Sequence, residues 1–265
     1  IIESKVGPHP VKIFERRHGR ALYNNLRAEG SVHKARKVMK WFGRLMQYAI
    51  EIGVRDDHPA RRLEMESTAA RNQVWTEDEV KEVIAQALAG GKADSGNTIP
   101  VRRSIALATQ IAYDTSLPQQ DILALRWEQY DGTGLLVKQK KPRGQRKELY
   151  LPLSEEGRAM MDGTPRDGLM IVVNEETGQP YDRNVFTRLH RRFRKRAGVR
   201  PDLTFQDLRR TALTEMGNRG ATHTEIVSFS GHAENSRVLD VYVKSDKSAA
   251  MRAAAKRWQK DEKLE

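Results

Sequence analysis

Thr204-Phe205-Gln206-Asp207-Leu208-Arg209-Arg210-Thr211-Ala212-Leu213-Thr214, followed by Gly231-His232 and then Tyr242, is the part of this chain on which its reading turns. Thr204 stands ahead of a helix expected from Phe205 to about Arg219. A second helix start follows at Thr222-His223-Thr224-Glu225, which has the capping-box pattern. Gly231-His232 comes next, and Tyr242 lies ten residues beyond His232. Each piece has an ordinary reading. Tyr242 alone is a tyrosine between helices, His232 alone is a capping histidine, and Arg210 is a structural arginine. The information lies in their order and spacing.

Upstream, Asp182 is expected to cap a helix through Arg196, with Val185, Phe186, Leu189 and Phe193 inward. Its other face carries Arg188, Arg191, Arg192, Arg194 and Lys195. Before it the period changes. Leu135-Leu136-Val137 and Leu149-Tyr150-Leu151 are short β-type runs. They frame the basic segment Lys138 to Lys147, so a hairpin with a cationic tip is expected, and Leu169 to Val173 reads as a further strand. Ser104 to Tyr113 reads as a buried helix, followed by a break at Pro118 and an apolar run from Ile122 to Trp127. Ala89 to Asn97 is a Gly-rich loop without the Gly-Lys-Ser/Thr ending of a phosphate-binding loop. Thr76-Glu77-Asp78-Glu79 is a capping box for the helix in front of it.

The first segment is helical throughout. A short helix is expected around Arg17 to Leu26. A longer one is expected from the Ser31 cap to about Ile52, stopped by Gly53. Val38, Trp41, Phe42, Leu45, Met46 and Ala49 give it one apolar face, and Lys34, Arg36, Lys37, Lys40 and Arg44 lie between them. Glu64 to Gln73 is polar and aperiodic, the character of an interdomain linker. Ala249 to Trp258 reads as an Ala-rich terminal helix. The fold class is therefore mainly α with a small antiparallel sheet. The expected division is a helical domain over 1–66, a linker over 67–75 and an α+β domain over 76–265.

The 265 residues carry a net charge of +12, which predicts attraction to a polyanion such as DNA, RNA or an anionic membrane. No apolar run approaches the roughly 20 residues of a membrane span. The absence of cysteine removes disulfides, thiolate nucleophiles and cysteine-based zinc sites. The start has no signal-peptide layout, and its lack of Met leads to the expectation that the chain begins partway into a longer protein. The seven histidines show no metal-ligand spacing. Neither metal nor cofactor is expected, nor a Ser/His/Asp arrangement.

Taken together, Gln206-Asp207-Leu208-Arg209-Arg210-Thr211, Gly231-His232 and Tyr242 resemble the tyrosine recombinase (phage integrase) family. The likeness extends to Ala124-Leu125-Arg126-Trp127, to Leu151-Pro152-Leu153 and to Asp57-His58-Pro59-Ala60-Arg61, and so covers nearly the whole chain. It implies a helical core-binding domain and a catalytic domain that clamp duplex DNA, cutting and rejoining it through a 3′-phosphotyrosine. Tyr242 would be the nucleophile. Arg209 would hold phosphate oxygens through its planar guanidinium, and His232 would bond a phosphate oxygen or assist proton transfer. Lys141, with Lys140 as runner-up, would protonate the leaving oxygen. Phosphate contacts are expected from Lys34, Lys37, Arg143, Arg146, Lys147, Arg191 and Arg194. Double-stranded DNA is the expected partner, with a homo-oligomer (dimer or tetramer) on it and no membrane. The expected location is the bacterial or phage-infected cytoplasm, at the nucleoid.

Two positions depart from the family pattern. Where the family reads Thr-Gly-x-Arg, this chain has Thr115-Ser116-Leu117-Pro118, and proline cannot bind phosphate. Gln206 replaces the first histidine of His-x-x-Arg; it can donate a hydrogen bond but cannot shuttle a proton. Arg126, Arg102 and Gln119 are the nearby candidates to make good the loss at Pro118. Site-specific recombination, with DNA integration by a mobile element, is therefore the first expectation. A catalytically inactive DNA-binding protein on the same scaffold, a repressor or accessory recombination factor, is the second. An RNA-binding protein is a distant third, because the aromatic stacking motifs of the usual modules are missing.

Overall fold

The computed structural model describes residues 1–67, 71–92, 96–140, 146–233, 251, 254 and 255, without the side chains of residues 139, 140, 146 and 147. The chain forms two compact units, Ile1–Asn72 and Gln73–Glu265.

The first unit holds α1 (Ile2–Val6), α2 (Arg16–Ala28) and α3 (Val32–Glu51). Helix α3 starts where Ser31 Oγ accepts from the Lys34 amide, and the chain leaves it through Gly53 at φ +72°. Leu22, Tyr23 and Leu26 of α2 pack with Ala35, Val38, Met39, Phe42 and Met46 of α3. The ring of Phe14 meets that of Phe42 edge-on at 5.7 Å. The expected apolar face of α3 is divided. Val38, Phe42, Met46 and Ala49 are buried, whereas Trp41 and Leu45 are about half exposed. The reason is angular: one residue step turns a helix by about 100°, so Trp41 leaves the sector that Phe42 shares with α2. The polar stretch that closes the unit is tied back at Glu66, whose carboxylate receives Arg27 and whose amide donates to the Tyr23 hydroxyl.

The second unit is built around α5 (Arg103–Thr115), in which every residue from Ser104 to Ala112 is buried. A helix that is small and apolar on all sides can be wrapped by neighbours. The helices that pack on it include α4 (Glu77–Ala89), α7 (Glu155–Asp162), α8 (Arg183–Arg196) and α9 (Asp207–Asn218). The capping box at Thr76 forms, with Thr76 Oγ1 accepting from the Glu79 amide and Glu79 Oε2 from the Thr76 amide. Asp182 caps α8 through the amides of Asn184 and Val185. Thr222 opens α10 (His223–Ser230) with a second capping box.

Strands β3 (Gly134–Lys140) and β4 (Arg146–Pro152) pair antiparallel, with Leu135 opposite Leu151 and Val137 opposite Leu149. Those four side chains are buried, and Leu136 and Tyr150 face outward, as period two requires. Two expectations need correction. The Gly-rich loop contains a minimal hairpin, β1 (Gly91–Lys92) with β2 (Thr98–Ile99). It is possible because Gly90 sits at φ +61°, where an added Cβ would lie 2.8 Å from the Ile99 carbonyl oxygen. Leu169–Val173 is not a strand but makes isolated bridges to Arg126 and Pro180. Ile171 and Val172 are both buried in succession, and that breaks the alternation a half-exposed strand needs. Met251, Ala254 and Ala255 are helical; the rest of the expected terminal helix lies outside the described residues.

Candidate active site

The site begins at the foot of α9. Thr204 donates through both its amide and its hydroxyl to Asp207 Oδ2, at 2.7 Å each. Asp207 is buried, and its carbonyl accepts from the Thr211 hydroxyl. That hydroxyl accepts in turn from the Trp75 amide, while the Trp75 indole donates to the Thr204 carbonyl. The start of α9 is thereby bolted to the start of α4, and the direction in which Arg209 leaves the helix is set.

The Arg209 guanidinium joins three segments. Its Nη1 donates to the Ser116 carbonyl at 2.6 Å and its Nη2 to the Ser230 carbonyl at 3.2 Å. Nη2 also lies 3.3 Å from each ring nitrogen of His232. His232 Nδ1 is 2.7 Å from Ser230 Oγ. A hydroxyl fixed at Nδ1 orients the imidazole beside the guanidinium. Gly231 makes the turn from α10 to His232 in the left-handed region, at φ +70°, where glycine is at no steric disadvantage.

The loop opposite Arg209 is strained. Ser116 is a fully buried, non-glycine residue at φ +57°, and its hydroxyl has no hydrogen-bond partner among the described residues. Pro118 then caps the short helix α6 (Gln119–Ile122). Sequence reasoning missed Asp121 on this helix. Its half-buried carboxyl is pushed above the usual range by burial, and the nearby Arg209 charge pulls it the other way. The available signal was its position, one helical turn past Pro118. The expected substitutes for a second cation are used elsewhere. Arg102 is buried in a pair with Glu175 and Glu176. Gln119 donates to the Arg183 carbonyl and the Thr187 hydroxyl. Arg126 is exposed, 3.7 Å from Glu128.

Arg209 and His232 are thus brought together, with Gln206 exposed at the N-cap of α9, where its side chain makes no capping bond. Lys34 and Lys37 are exposed on the first turns of α3, and Arg191 is exposed on α8 with Arg188 and Arg192. Arg194 is half-buried, and its guanidinium donates to the Leu203 carbonyl, holding the loop that leads into α9. Tyr242, Lys141 and Arg143 lie outside the described residues, as do the side chains of Arg146 and Lys147. Among the described residues, no three His, Asp or Glu side chains converge as metal ligands, and no helix is long and apolar enough to cross a membrane.

The model of the phage integrase family matches residues 73–249, which include Arg209, His232 and Tyr242. The chain belongs to the phage integrase family. Its fold is that of solved integrases. A lambda integrase (residues 75–356) dimer bound to a COC′ core site is 19% identical, with a TM-score of 0.70, over 93% of this chain and 86% of that one. The Tn1549 transposon integrase in complex with circular intermediate DNA is 12% identical with the same TM-score, over 94% and 88%. A lambda integrase tetramer bound to a Holliday junction is 19% identical with a TM-score of 0.68, over 98% and 70%. No curated protein sequence matches this chain. For this integrase family member, the matched residues fall within the second compact unit, the one that holds Arg209 and His232.

Proposed function

We propose that this integrase cuts and rejoins duplex DNA at a specific site, using Tyr242 as nucleophile. The carrying observation is the Arg209 guanidinium fixed between the Ser116 and Ser230 carbonyls with His232 beside it. Donors held in place before the substrate arrives stabilise a developing phosphorane charge without reorganisation. In the reaction, the Tyr242 oxygen bonds to the scissile phosphorus as the bond from phosphorus to the 5′-oxygen breaks. The tyrosine proton passes to His232 or to solvent, Arg209 holds the non-bridging oxygens, and Lys141 gives a proton to the departing 5′-oxygen. The 3′-phosphotyrosine keeps the energy of the broken ester, so a 5′-hydroxyl can reverse the step.

Integrases of this fold are held on DNA as dimers and tetramers, and the same assembly is proposed here, in the cytoplasm of a bacterium. Lys34, Lys37 and Arg191 would neutralise backbone phosphates, together with Arg143, Arg146 and Lys147 of the hairpin. One observation favours the second reading, a DNA-binding protein that does not cut. Pro118 puts no cation on the loop opposite Arg209, where the family pattern has an arginine. A nicked suicide duplex from the protein's own element separates the two. Cutting gives a covalent protein–DNA band on denaturing gels that vanishes in Tyr242→Phe. Salt-sensitive binding with no band at all overturns the first reading in favour of the second.

A further inference from the structure

Helix α3 has a second apolar face that the described residues of its own unit leave about half exposed, with the Arg44 guanidinium over the Trp41 ring at 4.8 Å. Trp41, Leu45, Tyr48 and the cap residue Ile52 follow one another at spacings of four, three and four, the seam of a helix that pairs with another helix. They are 51%, 48%, 59% and 54% exposed. Beside them runs an apolar groove of about 550 Å³, whose lining includes Ile2, Val6, Leu45, Tyr48, Ile52 and Val54. Large apolar side chains scattered singly need no explanation, but a contiguous row with a groove marks an interaction surface. The charges at its border indicate what fits there. Arg44 and Glu51 lie seven residues apart on the edge of the seam away from the core. If a second α3 is laid antiparallel about a twofold axis between Leu45 and Tyr48, Leu45 meets the partner's Tyr48 and Trp41 meets the partner's Ile52, at the mouth of its groove. The same operation puts Arg44 against the partner's Glu51, and Glu51 against the partner's Arg44. A self-complementary patch of this kind is what a twofold interface requires.

We propose that the α3 seam is a dimer interface that takes a second copy of this chain without DNA. The overlap uses the second half of α3 and leaves the first turns, with Lys34 and Lys37, clear of the partner. One helix thereby serves two partners at its two ends. The proposal does not depend on strand cleavage.

The test is the mass in solution of the full 265-residue chain, without DNA, by light scattering or sedimentation at rising concentration. The expected result is a shift from 30.2 kDa to twice that value. Leu45→Lys should abolish the shift. Arg44→Glu and Glu51→Arg should each raise the dimer dissociation constant by roughly tenfold, since each puts like charges at both symmetry-related contacts. The double variant Arg44→Glu/Glu51→Arg should restore the original constant. All these positions are exposed, and an unchanged thermal melt of each variant shows that the fold is kept. A monomer at every concentration overturns the proposal and leaves the seam to a segment or protein of other sequence. A dimer indifferent to Leu45→Lys, or a double swap that fails to restore it, overturns it equally.

Discussion

Arg209 is held by two main-chain carbonyls from segments far apart in sequence, Ser116 and Ser230. A guanidinium fixed this way is a preorganised donor, and Arg209→Ala should lower the rate of covalent adduct formation by at least about 10²–10³-fold, with duplex binding changed far less. The single-turnover adduct assay separates these effects. Ser116, its main-chain partner, carries strain. A left-handed conformation costs a non-glycine residue about 1–2 kcal/mol, and here a buried hydroxyl without a partner adds to that cost. Ser116→Gly should therefore stabilise the protein by about 1 kcal/mol, after allowing for the extra freedom glycine gains in the unfolded chain. Urea unfolding measures it, and a loss of stability would refute the strain. Two residues on, Pro118→Arg in that background should raise adduct yield if a second guanidinium is what the loop lacks. At this scale the sequence singled out Arg209 and His232, and the fold brings them within 3.3 Å of each other. The sequence was not legible at Asp121, an ordinary helix carboxylate until folding brings it beside Arg209.

Elements whose ends carry polar caps could be read directly from the chain. Ser31, Thr76, Asp182 and Thr222 each stand at the start that the structure shows, because a side-chain oxygen that satisfies a bare amide is a local signal. The β3–β4 hairpin could be read as well from its two β-type runs, whereas the pairing of Leu135 with Leu151 comes from the structure. What failed was anything set by a distant neighbour. Trp41 and Leu45 have the spacing of core residues, yet the described elements of their own unit leave them about half exposed. Leu169–Val173 has strand composition, but its backbone pairs only briefly with the segment from Leu125 to Trp127. The caps also have a functional consequence. Helix α10 carries Ser230 and aims the chain at His232, so Thr222→Ala should fray the site as well as the helix. Loss of the cap should cost about 1 kcal/mol, a fall of about 2–4 °C in melting temperature for a unit of this size. Adduct formation should fall with it. Thr76→Ala, which removes the same type of cap from α4, should give a similar melt with less effect on adduct yield.

At the scale of the whole molecule, two properties follow from where the charges sit. The first concerns acid. His190 is entirely buried, stacked on Phe186 and edge-on to Trp75 and Phe205, and burial, with Arg194 nearby, drives its pKa down to about 3. The unfolded chain takes up a proton at this residue near pH 6.5, while the folded one stays neutral. This contribution to stability is therefore complete above about pH 6.5 and is lost as pH falls toward 3, by up to about 1.4 kcal/mol per pH unit. His190→Phe should flatten the pH dependence of unfolding between pH 7 and 5; an unchanged slope would show that the ring already titrates in the fold.

The second property concerns salt. Lys34 and Lys37 are exposed on one compact unit, and Arg188 and Arg191 on the other. If a duplex engages both units at once, each pair releases its own counterions, and the logarithm of the binding constant falls against log salt with a slope of about −0.9 per phosphate neutralised. Neutralising Lys34 and Lys37 to Gln should make that slope shallower by about 2, and so should neutralising Arg188 and Arg191. All four together should change it by the sum when each pair neutralises its own phosphates. Fluorescence anisotropy on a duplex across a salt series reads the slope directly. A four-fold variant no shallower than either pair alone would mean that only one unit grips the DNA.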